Sequence, residues 1–294
     1  MNESAPSGRI TVSVANGVAS LEIDNPRQRN ALTRAMCLEL QDVLPRLEAA
    51  PDVTVITLRG AGTNFSAGAA INELPSVLLD QQADGTRLDH LSRADDAIAS
   101  TTKPTVAVVD GACMGGGWQI ASACDFILAS ERSVFAITPA KLGVIYPRAG
   151  IERLVRAVGE ARAKYILFTG EAYSATRAHA LGLVAEAVPD DAFEVRCATL
   201  VASLRDNSQF SVHSLKQLVN LTASDVPDID QFWDDAWTDM SDGPDMGIGV
   251  AAFQNGERPR FTWTPRGLRA AKFESSDSRE GERGSPDACT EEAG

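Results

Sequence analysis

The chain has 294 residues, 44% of them hydrophobic, and a formal net charge of −13. That is enough apolar content for a sizeable core, and it allows one large domain or two small ones. The acidic balance speaks against nucleic acid as a partner, because phosphate binding needs clustered Lys and Arg. No run of about 18 apolar residues predicts a membrane span, and Met1–Arg9 lacks the apolar stretch of a secretory signal. Five cysteines, Cys37, Cys113, Cys124, Cys197 and Cys289, include no C-x-x-C pair. Neither a zinc site nor a disulfide framework follows, and a reducing cytoplasm is expected.

In chain order, residues 1–9 read as a flexible start. Ile10–Val14 and Val18–Ile23 are rich in β-formers and flank Asn16-Gly17, a hairpin signature. A loop through Asn25–Asn30 follows. Helical spacing begins at Leu32 and runs through Met36, Leu40, Leu44 and Leu47, with Asn30 as the expected cap. Val53–Leu58 reads as a buried strand, Ala61–Asn72 as a loop entering a short helix, and Leu88–Ile98 as a helix. Thr105–Val109 is a further strand, Trp118–Ser122 a helix and Asp125–Leu128 a strand. This alternation predicts βαβ units and a mostly parallel sheet.

Beyond about residue 150 the pattern is helical. The expected helices are Glu152–Val158, Glu160–Phe168, Ala175–Leu181, Ala192–Leu204, Val212–Leu221, Gln231–Met240 and Gly247–Gln254. Ser174 and Gly182 bracket one of them as caps. Only Val184–Val188 reads as extended there. The division expected from composition is a core over 10–200, a helical region over 201–271 and a disordered acidic tail over 272–294.

The segment Gly111–Ala121 carries the chemistry. Gly115, Gly116 and Gly117 lie between a strand and a helix, where a ligand can approach the backbone and the helix start leaves N–H donors free. Such donors can hold a developing negative charge. Three residues after Gly116 stands Gln119, an amide that cannot accept a proton near neutral pH. No Ser/His/Asp order and no metal-ligand spacing is visible. Of His90, His179 and His213, His90 is the one placed to reach a pocket.

Four segments, taken together, resemble the crotonase family of enoyl-CoA hydratases, isomerases and their relatives. Asn25–Leu32 is similar to the family's N-R-P-x-x-x-N-A-L, and Gly62–Ile71 to its G-x-x-F-x-A-G-x-D-I. Gly111–Asp125 matches G-x-x-x-G-G-G-x-E-x-x-x-x-C-D, and Glu171–Val184 resembles the helix before its G-L-V. The resemblance implies an α/β fold: a ββα spiral core with an all-helical C-terminal trimerisation region, as a homotrimer or a dimer of trimers. Phe65–Ser76 and Phe135–Tyr146 also resemble the methylmalonyl-CoA decarboxylase branch.

The resemblance further implies an oxyanion hole from the backbone N–H groups of Ala69 and Gly116. It places Arg27 near the phosphates of coenzyme A and the carbonyls of Ala67 and Ala69 at the adenine. Ile71, Leu74 and Pro139 fall at the acyl pocket. Coenzyme A enters as part of the substrate, with no tightly bound cofactor and no metal. The two carboxylates of family hydratases fall on Gln119 and Pro139, so that acid–base pair is missing. Gln119 is left to orient a water, a carboxylate or the thioester. Tyr146 matches a tyrosine of the decarboxylase branch and is expected to orient a carboxylate or donate a proton. The leading expectation is therefore a lyase that decarboxylates a β-carboxyacyl thioester. The alternatives are hydration or isomerisation of an enoyl-CoA, and non-catalytic binding of acyl thioesters.

Overall fold

The computed structural model describes residues 8–223 and 229–264. The expected acidic tail, Cys289 and nearly all of the expected flexible start lie outside the described residues. The chain opens with β1 (Arg9–Ala15) and β2 (Val18–Asp24), paired antiparallel around Asn16 and Gly17. Both turn residues have positive φ, 51° and 80°, which is the backbone that an Asn-Gly hairpin needs. Helix α1 (Arg34–Ala49) follows, then β3 (Val55–Gly60).

Helix α1 is capped by Thr33, whose side chain accepts from the Met36 N–H, and not by Asn30. Asn30 instead takes left-handed φ, 58°, and is fully buried. Its amide donates to the carbonyls of Ala61 and Asn64 and accepts from the Asn25 N–H. It therefore ties the loop before α1 to the loop after β3. Asn30→Ala should lose about 3 kcal/mol of stability, since three buried hydrogen bonds at roughly 1 kcal/mol each disappear. Denaturant unfolding of the variant against wild type checks this value.

Next come α2 (Leu74–Leu78), a small hairpin of β4 (Asp80–Gln81) and β5 (Arg87–Leu88), and α3 (His90–Ala99). His90 is buried and its Nε2 lies 2.8 Å from Asp80 Oδ2, which also pairs with Arg34. It anchors the hairpin and does not line the cleft described below. After α3 run β6 (Thr105–Val109), β7 (Ala112–Met114), α4 (Gly116–Ser122), β8 (Phe126–Ser130), β9 (Val134–Ala136) and α5 (Pro139–Leu142). Then come α6 (Arg148–Val158), α7 (Glu160–Thr169), β10 (Ala172–Ser174), α8 (Ala175–Leu181), β11 (Glu186–Val188) and α9 (Phe193–Asp206). Ser174 and Gly182 cap α8 as expected. Helices α10 (Gln209–Ala223), α11 (Ile229–Asp242) and α12 (Asp245–Asn255) complete the described elements.

The main sheet has the order β1-β2-β3-β6-β8-β11, parallel from β2 onward. Both of its faces are covered, which explains the unbroken apolar run of β6. Ala107 and Val109 join the large core with α1, α3 and α4, whereas Val106 and Val108 pack with Phe193 and Cys197 of α9. The boundary expected at residue 200 thus falls inside α9, a helix of the core. Cys37, Cys113, Cys124 and Cys197 are free and buried. Among the described residues no helix is long and apolar enough to cross a membrane.

A second, three-stranded sheet, β10-β9-β7, makes a strand of Ala112–Met114 within the glycine segment and corrects the reading of Val184–Val188 as the only extended segment late in the chain. Each of its strands has three residues, too few for an alternating pattern to register. Its pairings reach across the sequence, with Ala112–Met114 parallel to Val134–Ala136. This sheet, with two isolated bridges, assembles the site.

Candidate active site

Residues 66–70 are held between two other segments. On one side Ser66 bridges Cys113: its N–H donates to Ala112 O and its carbonyl accepts from the Met114 N–H. On the other side Leu32 donates to Gly68 O and accepts from the Ala70 N–H. The Ser66 hydroxyl donates to Asn30 O and accepts from the Gly68 N–H. Gly68 has φ of 97°, and a Cβ there would lie 2.8 Å from Met114 O and 3.2 Å from Gly116 N. Glycine is therefore required where the two backbones meet.

Ala69 and Gly116 face one another across this contact; a Cβ on Gly116 would lie 3.1 Å from Ala69 N. Neither amide has a protein acceptor among the described residues. Gly116 is the first residue of α4, where the N–H has no partner within the helix. Two such donors, fixed by the surrounding pairing, can hold one oxyanion.

The amides open on a cleft of about 80 Å³, room for several water molecules or a short acyl group. Ile71, Leu74, Leu91, Pro139 and Tyr146 are among its lining residues, with Gln119. The sequence-predicted pocket residues Ile71, Leu74 and Pro139 are thus brought together with Ala67, Ala69, Gly116, Gln119 and Tyr146. Among the described residues no Asp, Glu, His, Lys, Arg or Cys lines the cleft. The carbonyls of Ala67 and Ala69 receive no hydrogen bond among the described residues. Arg27 is exposed on the loop before α1 and makes no ion pair among those residues. The described residues contain no cluster suited to a metal ion.

Tyr146 departs from its expected role. Its hydroxyl donates to Gly115 O at 3.0 Å, so its proton is already engaged. Burial holds the phenol well above its usual pKa, with the Asp95 carboxylate adding to the effect. It is poorly suited to release that proton to a substrate. Instead it anchors the carbonyl just before Gly116 and helps aim the turn that presents the Gly116 N–H.

Two residues that the sequence reading missed lie behind Gln119. Its Nε2 donates to Asp95 Oδ2 at 3.0 Å, and its Oε1 is buried without a protein partner. Asp95 is fully buried in α3, and the Arg153 guanidinium from α6 contacts both of its oxygens. Arg153 also donates to Ser122 Oγ. A signal existed: Leu91, Ala94, Asp95 and Ile98 form the buried stripe of α3, and a carboxylate on an apolar stripe demands a partner.

Burial pushes Asp95 up to about 6, against the opposing pull of Arg153 and of the Gln119 hydrogen bond; Asp96 raises it slightly and Tyr146 faces it. Above that pH Asp95 is ionised and only accepts; below it the carboxyl gains an O–H donor, so the Gln119 amide is no longer held by its NH₂ edge alone. Activity should fall as pH drops through about 6, in a pH–rate profile. The stability contribution has the opposite sign. The folded pKa lies above the usual carboxylate value, so the contribution is full at low pH and is lost as pH rises through about 6. The stability difference between wild type and Asp95→Asn should therefore shift against wild type from about pH 4 to about pH 7.

The enoyl-CoA hydratase/isomerase family model matches residues 13–262, most of the chain. The chain belongs to that family. A solved enoyl-CoA hydratase/isomerase family member is 63% identical and superposes with a TM-score of 0.87, covering 89% of this chain and 99% of the other. An enoyl-CoA hydratase structure from Bacillus anthracis gives 27% identity and 0.77, covering 86% and 98%. Among curated relatives, the mitochondrial enoyl-CoA hydratase of Pongo abelii is 32% identical over 70% of this chain and 69% of its own. The spiral α/β fold with C-terminal helices and the acyl-CoA substrate class follow from the family, whose members work without a tightly bound cofactor. The decarboxylase branch draws no support from these relatives, which are named for hydration and isomerisation. Nor does family membership fix the compartment, since one relative is mitochondrial.

Proposed function

We propose that this enzyme hydrates a short enoyl-CoA thioester, or catalyses the reverse dehydration, by holding a thioester enolate between the Ala69 and Gly116 N–H groups. The observation that carries this reading is the pair of unpartnered amides opening on a cleft that Gln119 also lines, with its Oε1 buried and lacking a protein partner. The water is held by a hydrogen bond donated to Gln119 Oε1. Its oxygen bonds to the β-carbon, and the C=C electron pair moves onto the thioester oxygen as an enolate. When the enolate collapses, a proton of that same water passes to the α-carbon, so the elements of one water are added and nothing else is consumed. No side chain in the cleft serves as base, which forgoes the roughly 10²- to 10⁴-fold of general-base catalysis. Isomerisation is less well served, because it must begin with proton removal by a base that the cleft lacks. Arg27 binds the phosphates of coenzyme A, and the Ala67 and Ala69 carbonyls accept from its adenine.

A second reading is decarboxylation of a β-carboxyacyl thioester, favoured by the same lack of a base, since loss of CO₂ leaves the enolate directly. One assay separates the readings. Purified protein is given crotonyl-CoA, malonyl-CoA and methylmalonyl-CoA, with loss of enoyl absorbance and release of CO₂ followed in parallel. Hydration without CO₂ release supports the first reading, and CO₂ release without hydration replaces it with the second. Binding without any turnover leaves an acyl-thioester-binding protein. We also propose that the exposed apolar side chains of α10 and α11, Leu215, Val219, Trp233 and Trp237, pack against other copies in a trimer or a dimer of trimers. Sedimentation velocity checks the mass.

A further inference from the structure

A primary amide can face a ligand with its donor or with its acceptor, and a free glutamine in a pocket does both. At position 119 the choice is already made. An ionised carboxylate only accepts, so the amide edge touching Asp95 must be the NH₂ edge. Asp95 cannot turn away, because it is fully buried in α3 and gripped by Arg153 from α6. Arg153 is itself held by Ser122 on the same helix, α4, as Gln119. Three helices therefore close a circuit behind the amide of Gln119, a residue that lines the cleft, and its oxygen is buried without a protein partner.

We infer that Asp95 and Arg153 are positioning residues that fix Gln119 as an acceptor-only group, so that the cleft selects an acyl thioester or attacking water that presents a hydrogen-bond donor and disfavours one that presents a carboxylate. This rests on the acyl-CoA reading above and deepens it. A carboxylate placed against Oε1 would set acceptor against acceptor in a largely apolar cleft, where such a mismatch is costly. A hydroxyl on the acyl chain, or a water, completes the one open valence. The selectivity thus resides in residues that do not line the cleft.

The test is binding, measured by calorimetry with three probes of similar size: 3-hydroxybutyryl-CoA, butyryl-CoA and malonyl-CoA. Wild type should bind the hydroxy probe about five- to tenfold more tightly than butyryl-CoA, and malonyl-CoA more weakly than either. In Asp95→Asn the neighbour offers both a donor and an acceptor, so the amide can turn. The hydroxy preference should shrink to about twofold or less, and malonyl-CoA should bind several-fold better than it does to wild type. Should Asp95→Asn fail to fold, Gln119→Met, which keeps the length but has no acceptor, must abolish the hydroxy preference. Equal binding of the hydroxy and butyryl probes to wild type, or a preference that survives in Asp95→Asn or Gln119→Met, overturns the inference. Selective binding with no crotonyl-CoA hydration leaves the positioning role standing and removes only the proposed reaction. Failure to bind any of the three removes both.

Discussion

Gly116→Ala should lower kcat/KM for an acyl-CoA substrate by roughly 10²- to 10³-fold, the loss typical of one oxyanion donor. Gly116 begins α4 and has no left-handed backbone requirement. A methyl group there would come within 2.8 Å of Leu91 Cδ2, the mobile end of a side chain, and 3.1 Å of Ala69 N. Leu91 can move aside, so the fold survives. The Ala69 amide cannot, because the bridge to Leu32 and the Ser66 pairing hold its strip of backbone. The added methyl therefore occupies the place where an oxyanion must sit. Melting temperature close to wild type, together with the loss of kcat/KM, identifies the effect as local. Gly68→Ala makes a poorer test: its φ of 97° and a 2.8 Å contact with Met114 O would strain the backbone as well.

Gln119→Glu alone should add little hydratase activity, although it installs the carboxylate that the motif resemblance places at this position. The new group would meet Asp95 at the 3.0 Å position of the present amide hydrogen bond. Two carboxylates so close share a proton, and one of them stays neutral near pH 7. The shared proton occupies the introduced carboxylate and removes it as a base. Replacing Asp95 as well changes the balance, because an asparagine side chain there can donate its amide to the ionised glutamate at position 119. The double variant Gln119→Glu/Asp95→Asn should then raise crotonyl-CoA hydration by about 10²-fold or more over the single variant. Steady-state kinetics of wild type, the two single variants and the double variant form a closed cycle and give the coupling directly. A Gln119→Glu variant as active as the double would show that Asp95 does not control position 119.

These outcomes bear on what the sequence could reveal. The β1–β2 hairpin, β6 and α8 with both of its caps were legible because each declares itself locally: an Asn-Gly turn, an unbroken apolar run, a Ser and a Gly at the helix ends. The three short strands β7, β9 and β10 were not, since their reason for being extended lies in partners far along the chain. Asn30 misled for a related reason. As a residue before a helix it suits a cap, but left-handed backbone and two distant carbonyls claim it instead. At the site, the paired amides followed from motif order, because backbone donors need only small residues at the right places. The role of Gln119 did not follow, since it depends on which edge of an amide is turned outward. Asp95 in α3 and Arg153 in α6 decide that through contacts 24 and 58 residues apart. Tyr146 shows the same limit: a phenol at a motif position reads as a proton donor until its hydrogen bond to Gly115 O is seen.

The most direct measurement is a crystal structure of the wild-type protein with acetoacetyl-CoA, a non-cleaved acyl thioester. The thioester oxygen should lie about 2.7–3.1 Å from both Ala69 N and Gly116 N, with a water or other donor on Gln119 Oε1 and Nε2 still on Asp95. A thioester oxygen bound elsewhere, with the two amides facing only solvent, would contradict the oxyanion hole and the chemistry built on it.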